Sequence, residues 1–143
     1  MIKASLCLIP LLLFACDETG SPVGTDGVIP SASCYTYASP RDTVRLSITD
    51  LQGNTLGTLR YALAEKDRNT GTFEGEWSGD TLYANYTFQS EGVESEREVA
   101  FLRRGNHLTE GYGPVNSEGT GFAARNKLNF PGQIELTRTE CDD

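Results

Sequence analysis

Apolar and polar residues alternate one for one along most of this chain, and that period of two limits what it can fold into. In the first such run, polar residues separate Val44, Leu46 and Ile48, which is typical of a β-strand with one buried face. The apolar positions of the later runs are Leu59, Tyr61 and Leu63; Phe73 and Trp77; Leu82, Ala84, Tyr86 and Phe88; and Val99 and Phe101. The last two strands are predicted at 108–112 and at Ile134 with Leu136. Together with a first strand at Cys34, the pattern predicts roughly eight short strands.

Turn sequences rich in glycine and asparagine separate these runs, so each strand is expected to pair with the next. We predict an all-β domain over residues 34–141: a small antiparallel meander barrel, with a β-sandwich as the second choice. Closure into a barrel removes the exposed strand edges that promote aggregation. Residues 113–131 show no clear pattern, and 121–127 are expected to hold one helical turn. The length of 143 residues suits a single domain of this kind.

The start of the chain has the pattern of a cleaved export signal. Lys3 gives a positive beginning, and residues 6–14 form an apolar run that is too short to remain as a transmembrane helix. Ala15 followed by Cys16 resembles a bacterial lipobox, which implies cleavage before Cys16 and attachment of lipid to its thiol. We therefore predict a signal peptide at 1–15 and a lipid anchor on Cys16. An ordinary secretory signal is the alternative.

The segment 16–33 is rich in Gly, Pro, Ser and Thr and is predicted to be a flexible tether between the membrane and the domain. Asp17 and Glu18, directly after the cysteine, resemble the surface-export signal of Bacteroidota lipoproteins. In enterobacteria, an aspartate at this place resembles a signal for retention at the inner membrane. We expect the protein to lie in the cell envelope at the outer membrane, where it could be exposed on the cell surface. The outer face of the inner membrane is the alternative location. At the other end of the chain, residues 142–143 are predicted to form an acidic tail.

The four cysteines divide by location. Cys7 leaves with the predicted signal and Cys16 receives the lipid, so Cys34 and Cys141 remain in an oxidising compartment. One disulfide between them is predicted, with two free thiols as the alternative. A metal site is not expected, because two cysteines and one distant histidine do not supply the usual four ligands.

Neither a catalytic set nor a cofactor motif is present in the sequence. The single histidine, His107, follows the Gly105-Asn106 turn and is expected to be solvated rather than catalytic. No nucleophile elbow, P-loop or dinucleotide-binding fingerprint occurs. With 20 acidic and 12 basic residues and a net charge of -8, the chain also lacks the basic stripe of nucleic-acid-binding proteins. We expect no enzyme activity, no cofactor and no nucleic-acid partner.

The densest group of charges lies in 90–98, which is expected to form a loop. Residues proposed to contact a partner there are Glu91, Glu94, Glu96, Arg97 and Glu98. They could face a basic protein, while a solvated connection between strands is the simpler interpretation. Arg97 is expected to turn inward and to pair within the mouth of the barrel, because a buried charge needs a partner.

The run from Glu65 to Leu102 also resembles a known group of proteins. It carries Ser90-Glu91-Gly92 followed by Ser95-Glu96-Arg97-Glu98, and these residues resemble those of small, uncharacterised lipoproteins of Bacteroidota. The resemblance implies a compact antiparallel barrel akin to lipocalin-like and META-type domains, and a location at the envelope. It implies no activity.

These observations favour a lipid-anchored, monomeric binding module for a small ligand or a protein partner. The alternative is an inhibitor of a basic hydrolase such as lysozyme, which would use the acidic loop 90–98, and a structural coat protein is a third hypothesis. A barrel of about eight strands either fills with side chains or holds one small ligand. At this chain length, a filled interior is favoured.

Overall fold

The computed structural model describes residues 30–66 and 68–142. The predicted signal peptide 1–15, Cys16, most of the tether and Asp143 lie outside the described residues. The first strand begins at Ser33, next to the predicted start of the domain at Cys34.

Eight antiparallel strands form a closed barrel, in which each strand pairs with the next and β8 pairs with β1. The strands are β1 (Ser33–Ala38), β2 (Thr43–Leu51), β3 (Asn54–Ala62), β4 (Asn69–Ser78), β5 (Thr81–Ser90), β6 (Val93–Arg104), β7 (His107–Glu110) and β8 (Glu135–Thr139). The predicted meander barrel is thus confirmed, and the β-sandwich is excluded.

The barrel interior is built from the alternating apolar residues that the sequence singled out. Every second residue points inward because side chains alternate between the two faces of a strand. Large side chains that are completely buried fill the middle of the barrel: Tyr86, Phe101, Leu46, Leu59, Leu82, Leu108, Leu136 and Val44. The sequence favoured an interior filled with side chains, and the middle of the barrel is filled in this way.

A disulfide links the first strand to the segment after the last. The sulfur atoms of Cys34 and Cys141 lie 2.07 Å apart, and their Cα atoms lie 5.1 Å apart. Cys34 itself pairs with Thr139 in the ladder between β1 and β8. The predicted disulfide is confirmed, and it lies where the barrel closes.

The segment 90–98 is a tight turn followed by a strand, and its prediction as a loop was wrong. Ser90 ends β5, only Glu91 and Gly92 form the turn, and Val93 begins β6. Glu91 has φ 49° and Gly92 has φ 80°, as a tight hairpin turn requires. The strand was missed because both of its faces are polar here, so no apolar alternation marks it.

The segment between β7 and β8 crosses the outside of β6. The Gly111 amide donates to the Ala100 carbonyl at 2.8 Å, and the Glu98 amide donates to the Thr120 carbonyl at 2.6 Å. Because the crossing segment covers it, Ala100 is completely buried, although its side chain lies on the outer face of β6. The helical turn predicted within 121–127 is a short 3-10 helix at Arg125–Lys127.

Candidate functional site

One end of the barrel opens into a cavity of about 320 Å³, which we call the mouth. Its position follows from the strand ends that border it: the end of β3, the beginnings of β4 and β6, and the end of β7. The lining residues are Tyr61, Leu63, Lys66, Asn69, Arg97, Glu110, Tyr112, Gln133 and Ile134. Two cationic groups, one carboxyl group and two apolar side chains therefore face the same space.

Arg97 points into the barrel and lies against aromatic rings. Its guanidinium carbon is 5.0 Å from the ring centroid of Tyr61, 5.4 Å from that of Phe88 and 5.7 Å from that of Tyr86. Cations are attracted to the faces of such rings. The inward direction agrees with the sequence-based expectation. The contacts differ from it, because none of the ion pairs among residues 30–66 and 68–142 includes Arg97.

The rings beneath Arg97 are themselves fixed. The rings of Tyr86 and Phe88 stack at 4.9 Å with an interplanar angle of 18°. The Tyr86 hydroxyl donates to the Leu59 carbonyl at 2.8 Å. Because Tyr86 is completely buried, this hydrogen bond satisfies its one polar atom. The platform under Arg97 is therefore held by the packing of the core.

Glu110 is a buried carboxyl group at the same mouth, and it is 6% exposed. Its Oε1 accepts a hydrogen bond from the Tyr61 hydroxyl at 2.6 Å, and its Oε2 accepts one from the Tyr112 hydroxyl at 2.8 Å. Hydrogen bonds to a carboxylate are stronger than those between neutral groups. Glu110 thus orients two of the aromatic side chains that line the cavity.

Burial changes the acid–base properties of the mouth. It raises the pKa of Glu110, although the hydrogen bonds from both tyrosines and the charge of Arg97 act in the opposite direction. Burial also raises the pKa of Tyr61 well above its ordinary value, and the pKa of Tyr86 to about 12. The pKa of Tyr112 is raised by burial and by Glu110. All three phenols therefore remain protonated at neutral pH and can donate hydrogen bonds.

Glu110 is expected to make the protein more stable as the pH is lowered from neutral. Because its pKa in the folded chain is raised, the folded state binds more protons than the unfolded state between that pKa and the ordinary value near 4.5. Stability due to this group therefore rises as the pH falls through this window. When the free energy of unfolding is measured with urea at several pH values, the wild type should gain stability relative to Glu110→Gln as the pH is lowered. A difference that is constant with pH would contradict this prediction.

The mouth can bind an anion with an apolar part. Lys66 and Arg97 bring positive charge, while both oxygens of Glu110 already accept hydrogen bonds from tyrosines. Leu63 and Ile134 offer apolar surface beside these groups. Among residues 30–66 and 68–142, the mouth included, no three His, Cys, Asp or Glu side chains lie together in a way that could hold a metal ion.

The structure divides the residues that the sequence grouped as partner-binding. Arg97 lies inside the barrel, whereas Glu94, Glu96 and Glu98 lie on the outer face of β6, and Glu91 lies in the turn before it. Glu94 accepts a hydrogen bond from the Gln89 amide at 3.1 Å. The barrel wall therefore separates the four glutamates from the arginine.

Glu98 is tied to the segment that crosses β6. Its Oε1 accepts from Arg125 Nη2 at 2.8 Å, and its Oε2 accepts from the Phe122 amide at 2.9 Å. The Arg125 guanidinium also lies 4.3 Å from the ring centroid of Tyr83. With its side chain 13% exposed, Glu98 fastens this segment to the barrel and offers little surface to a partner.

Glu110 and Tyr112 were not predicted as functional residues, and one of them had a usable signal in the sequence. Residues 108–112 were predicted as a strand, and Glu110 lies two residues after the buried Leu108 on that strand, so it faces inward as well. Tyr112 follows the end of β7 and gives no such signal. His107 was predicted to be solvated, and its side chain is half exposed, with Nδ1 3.3 Å from the Thr137 hydroxyl.

In comparisons with known proteins, no protein-family model, curated protein or solved structure matches the chain. The resemblance to Bacteroidota lipoproteins therefore stays a prediction. In the part of the chain that the structure describes, no helix is long and apolar enough to cross a membrane.

Proposed function

We propose that this protein is a binding module that holds a small organic acid at the mouth of the barrel, with Arg97 as the residue that contacts the acid group. The observation that carries this function is the Arg97 guanidinium, which lies over three aromatic rings beside a cavity of about 320 Å³. A guanidinium matches a carboxylate with two parallel hydrogen bonds. Because the rings restrict its position, little side-chain entropy is lost when it binds.

The dimensions of the mouth limit the ligand to a small molecule. A cavity of about 320 Å³ lies at the lower end of the usual range for ligand pockets, about 300–1,000 Å³. Leu63 and Ile134 can contact a short hydrocarbon part, and Asn69 and Gln133 can hydrogen-bond to polar substituents. A monocarboxylic acid with a short aliphatic or aromatic part fits these features.

Glu110 supports this function indirectly. When it is ionised, Glu110 reduces the free-energy cost of holding the Arg97 cation away from bulk water. Among the described residues no ion pair joins Arg97 to Glu110, so the N–H groups of the guanidinium can serve a ligand. Glu110 acts here as a positioning residue.

In this proposal the protein works at the cell envelope as a monomer, held by lipid on Cys16. Support comes from the apolar run 6–14 and from Ala15 directly before the cysteine. The disulfide between Cys34 and Cys141 is typical of proteins exported to an oxidising compartment. As a random coil, a segment of the length of the predicted tether would reach about 20–25 Å.

Inhibition of a basic hydrolase by the acidic residues has weaker support than ligand binding at the mouth. Of the predicted contact residues, Glu98 is fastened to Arg125, and Arg97 lies on the other side of the barrel wall. The other three predicted contact residues, Glu91, Glu94 and Glu96, remain exposed on the outer surface. Exposed charges alone contribute little affinity.

Replacement of Arg97 is expected to abolish most of the binding. A set of small monocarboxylic acids is screened with the full-length protein by thermal shift, and the best binder is measured by titration calorimetry. Loss of charge-assisted hydrogen bonds reduces affinity by about 1.5–3 kcal/mol, so Arg97→Gln should weaken binding about 10- to 150-fold. Arg97→Lys keeps the charge and should retain part of the affinity.

The matched control is Arg104→Gln, which removes the same charge from an exposed position further along β6. This variant should bind the acid as tightly as the wild type. Equal weakening by Arg97→Gln and Arg104→Gln would show that overall charge, not the mouth, attracts the ligand. A wild type that binds none of the acids at millimolar concentration would overturn the proposed function.

A further inference from the structure

Three arginines lie together on the outer face of the barrel, on the opposite side of the wall from the mouth residues. Arg45 of β2 and Arg60 of β3 are directly paired across the strands, and both side chains point outward. Arg68 precedes β4 and lines the same surface cavity of about 290 Å³, together with Thr43 and Ala62. We call Arg45, Arg60 and Arg68 the arginine cluster.

The cluster places like charges side by side on paired strands. Like charges directly opposite each other on paired strands are destabilising. Of the described acidic residues, Glu140 and Asp142 line a neighbouring cavity together with Arg45 and Arg60. Among the described residues, the single ion pair of the cluster joins Arg45 Nη1 to Asp142 Oδ2 at 3.5 Å, with the two side chains 59% and 85% exposed. This local repulsion would be relieved by a bound anion.

We propose that the arginine cluster binds a phosphate group, separately from the acid site at the mouth. Guanidinium groups bind phosphate oxygens through two parallel hydrogen bonds, and several arginines together suit a doubly charged anion. A second cavity of about 380 Å³ adjoins the cluster and shares Arg45 and Arg60 with it. Ser47, Thr58 and Thr70 line this cavity, and their hydroxyls can hydrogen-bond to the rest of a phosphorylated molecule.

Asp142 occupies part of this site as an internal competitor. The disulfide holds Cys141 against Cys34 of β1, and this linkage brings the next residue, Asp142, to Arg45. A carboxylate oxygen 3.5 Å from the Arg45 guanidinium occupies a position that a phosphate oxygen would take. The tail therefore weakens phosphate binding, and its removal should strengthen it.

Binding of inorganic phosphate to the full-length protein at low ionic strength tests the site, with titration calorimetry as the readout. The double variant Arg45→Gln/Arg60→Gln should bind phosphate at least tenfold more weakly, and Asp142→Asn should bind it about two- to fivefold more tightly, since the pair it breaks is exposed. Arg104→Gln is the control for a lost surface charge and should not change the affinity. All four substituted positions are exposed, so these variants are expected to fold.

A second arm distinguishes the source of the phosphate. Sedimentation of the unlipidated chain beginning at Cys16 with vesicles of phosphatidylglycerol and phosphatidylcholine, compared with vesicles of phosphatidylcholine alone, reports on a lipid headgroup without the lipid anchor. Binding to inorganic phosphate alone supports a soluble phosphate ester, and binding to the anionic vesicles as well supports a headgroup. If neither probe binds to the wild type, or if Arg104→Gln weakens binding as much as the double variant does, the phosphate site is wrong.

Discussion

Replacing Tyr86 by alanine is expected to lower the free energy of unfolding by about 3–5 kcal/mol, as truncation of a large aromatic core residue usually does. Tyr86 is completely buried, and it contacts Phe88, Tyr61 and Arg97 with ring or guanidinium separations of 4.9, 6.1 and 5.7 Å. The alanine variant leaves a cavity in the middle of the barrel and removes the platform beneath the guanidinium. Urea unfolding measures the loss of stability.

Two further variants distinguish the stability contributed by the Tyr86 ring from that of its hydroxyl and from the effect of any substitution on β5. Tyr86→Phe keeps the ring and removes only the hydrogen bond to the Leu59 carbonyl, so it should lower stability by about 1 kcal/mol. Thr87→Ala changes an exposed side chain on the same strand and should have an effect within about 0.5 kcal/mol. A loss below about 1.5 kcal/mol for Tyr86→Ala would mean that the barrel interior is not packed as described.

Loss of the disulfide is expected to have the other large effect. The link between Cys34 and Cys141 has a sequence separation of 107 residues, and closing a loop of about 100 residues stabilises a protein by about 4.7 kcal/mol in the chain-entropy model. The double variant Cys34→Ser/Cys141→Ser should therefore lose about 4–5 kcal/mol. Urea unfolding of this variant gives the value directly.

Reduction supplies an independent check on the same link. Wild-type protein in excess dithiothreitol should unfold at the same urea concentration as the double serine variant, because both lack the same covalent closure. The ladder between β1 and β8 would remain as the only closure, with three directly paired residue positions. A stability change below about 1 kcal/mol in both experiments would contradict a stabilising role for the disulfide.

The sequence allowed the barrel to be predicted because its signals were local and repeated. The alternation at Val44, Leu46 and Ile48 reports directly which face of a strand is buried, and the glycine-containing turns report that neighbours are antiparallel. The same rule failed at residues 93–97, where inward positions are occupied by Ser95 and Arg97. Their environment is the polar end of the barrel, so hydrophobicity no longer marks the buried face.

The mouth could be predicted only in part, because it depends on pairing between distant strands. Arg97 was singled out from its acidic neighbours, and its inward direction follows from a period of two. Its aromatic partners come from β3 and β5, and the carboxyl group of Glu110 comes from β7. The strand register that brings Tyr86 opposite Arg97 is a property of the whole sheet. No short stretch of sequence contains it.

Arginine side-chain NMR tests the central claim most directly, which is that Arg97 contacts the acid ligand. The full-length protein is labelled with ¹⁵N in arginine, and the Nε–Hε resonance of Arg97 is assigned from its loss in Arg97→Lys. On titration with the best-binding monocarboxylic acid, this resonance should shift progressively and saturate with the calorimetric affinity, while those of Arg103 and Arg104 stay in place. Saturation of binding without any change in the Arg97 resonance would contradict the account.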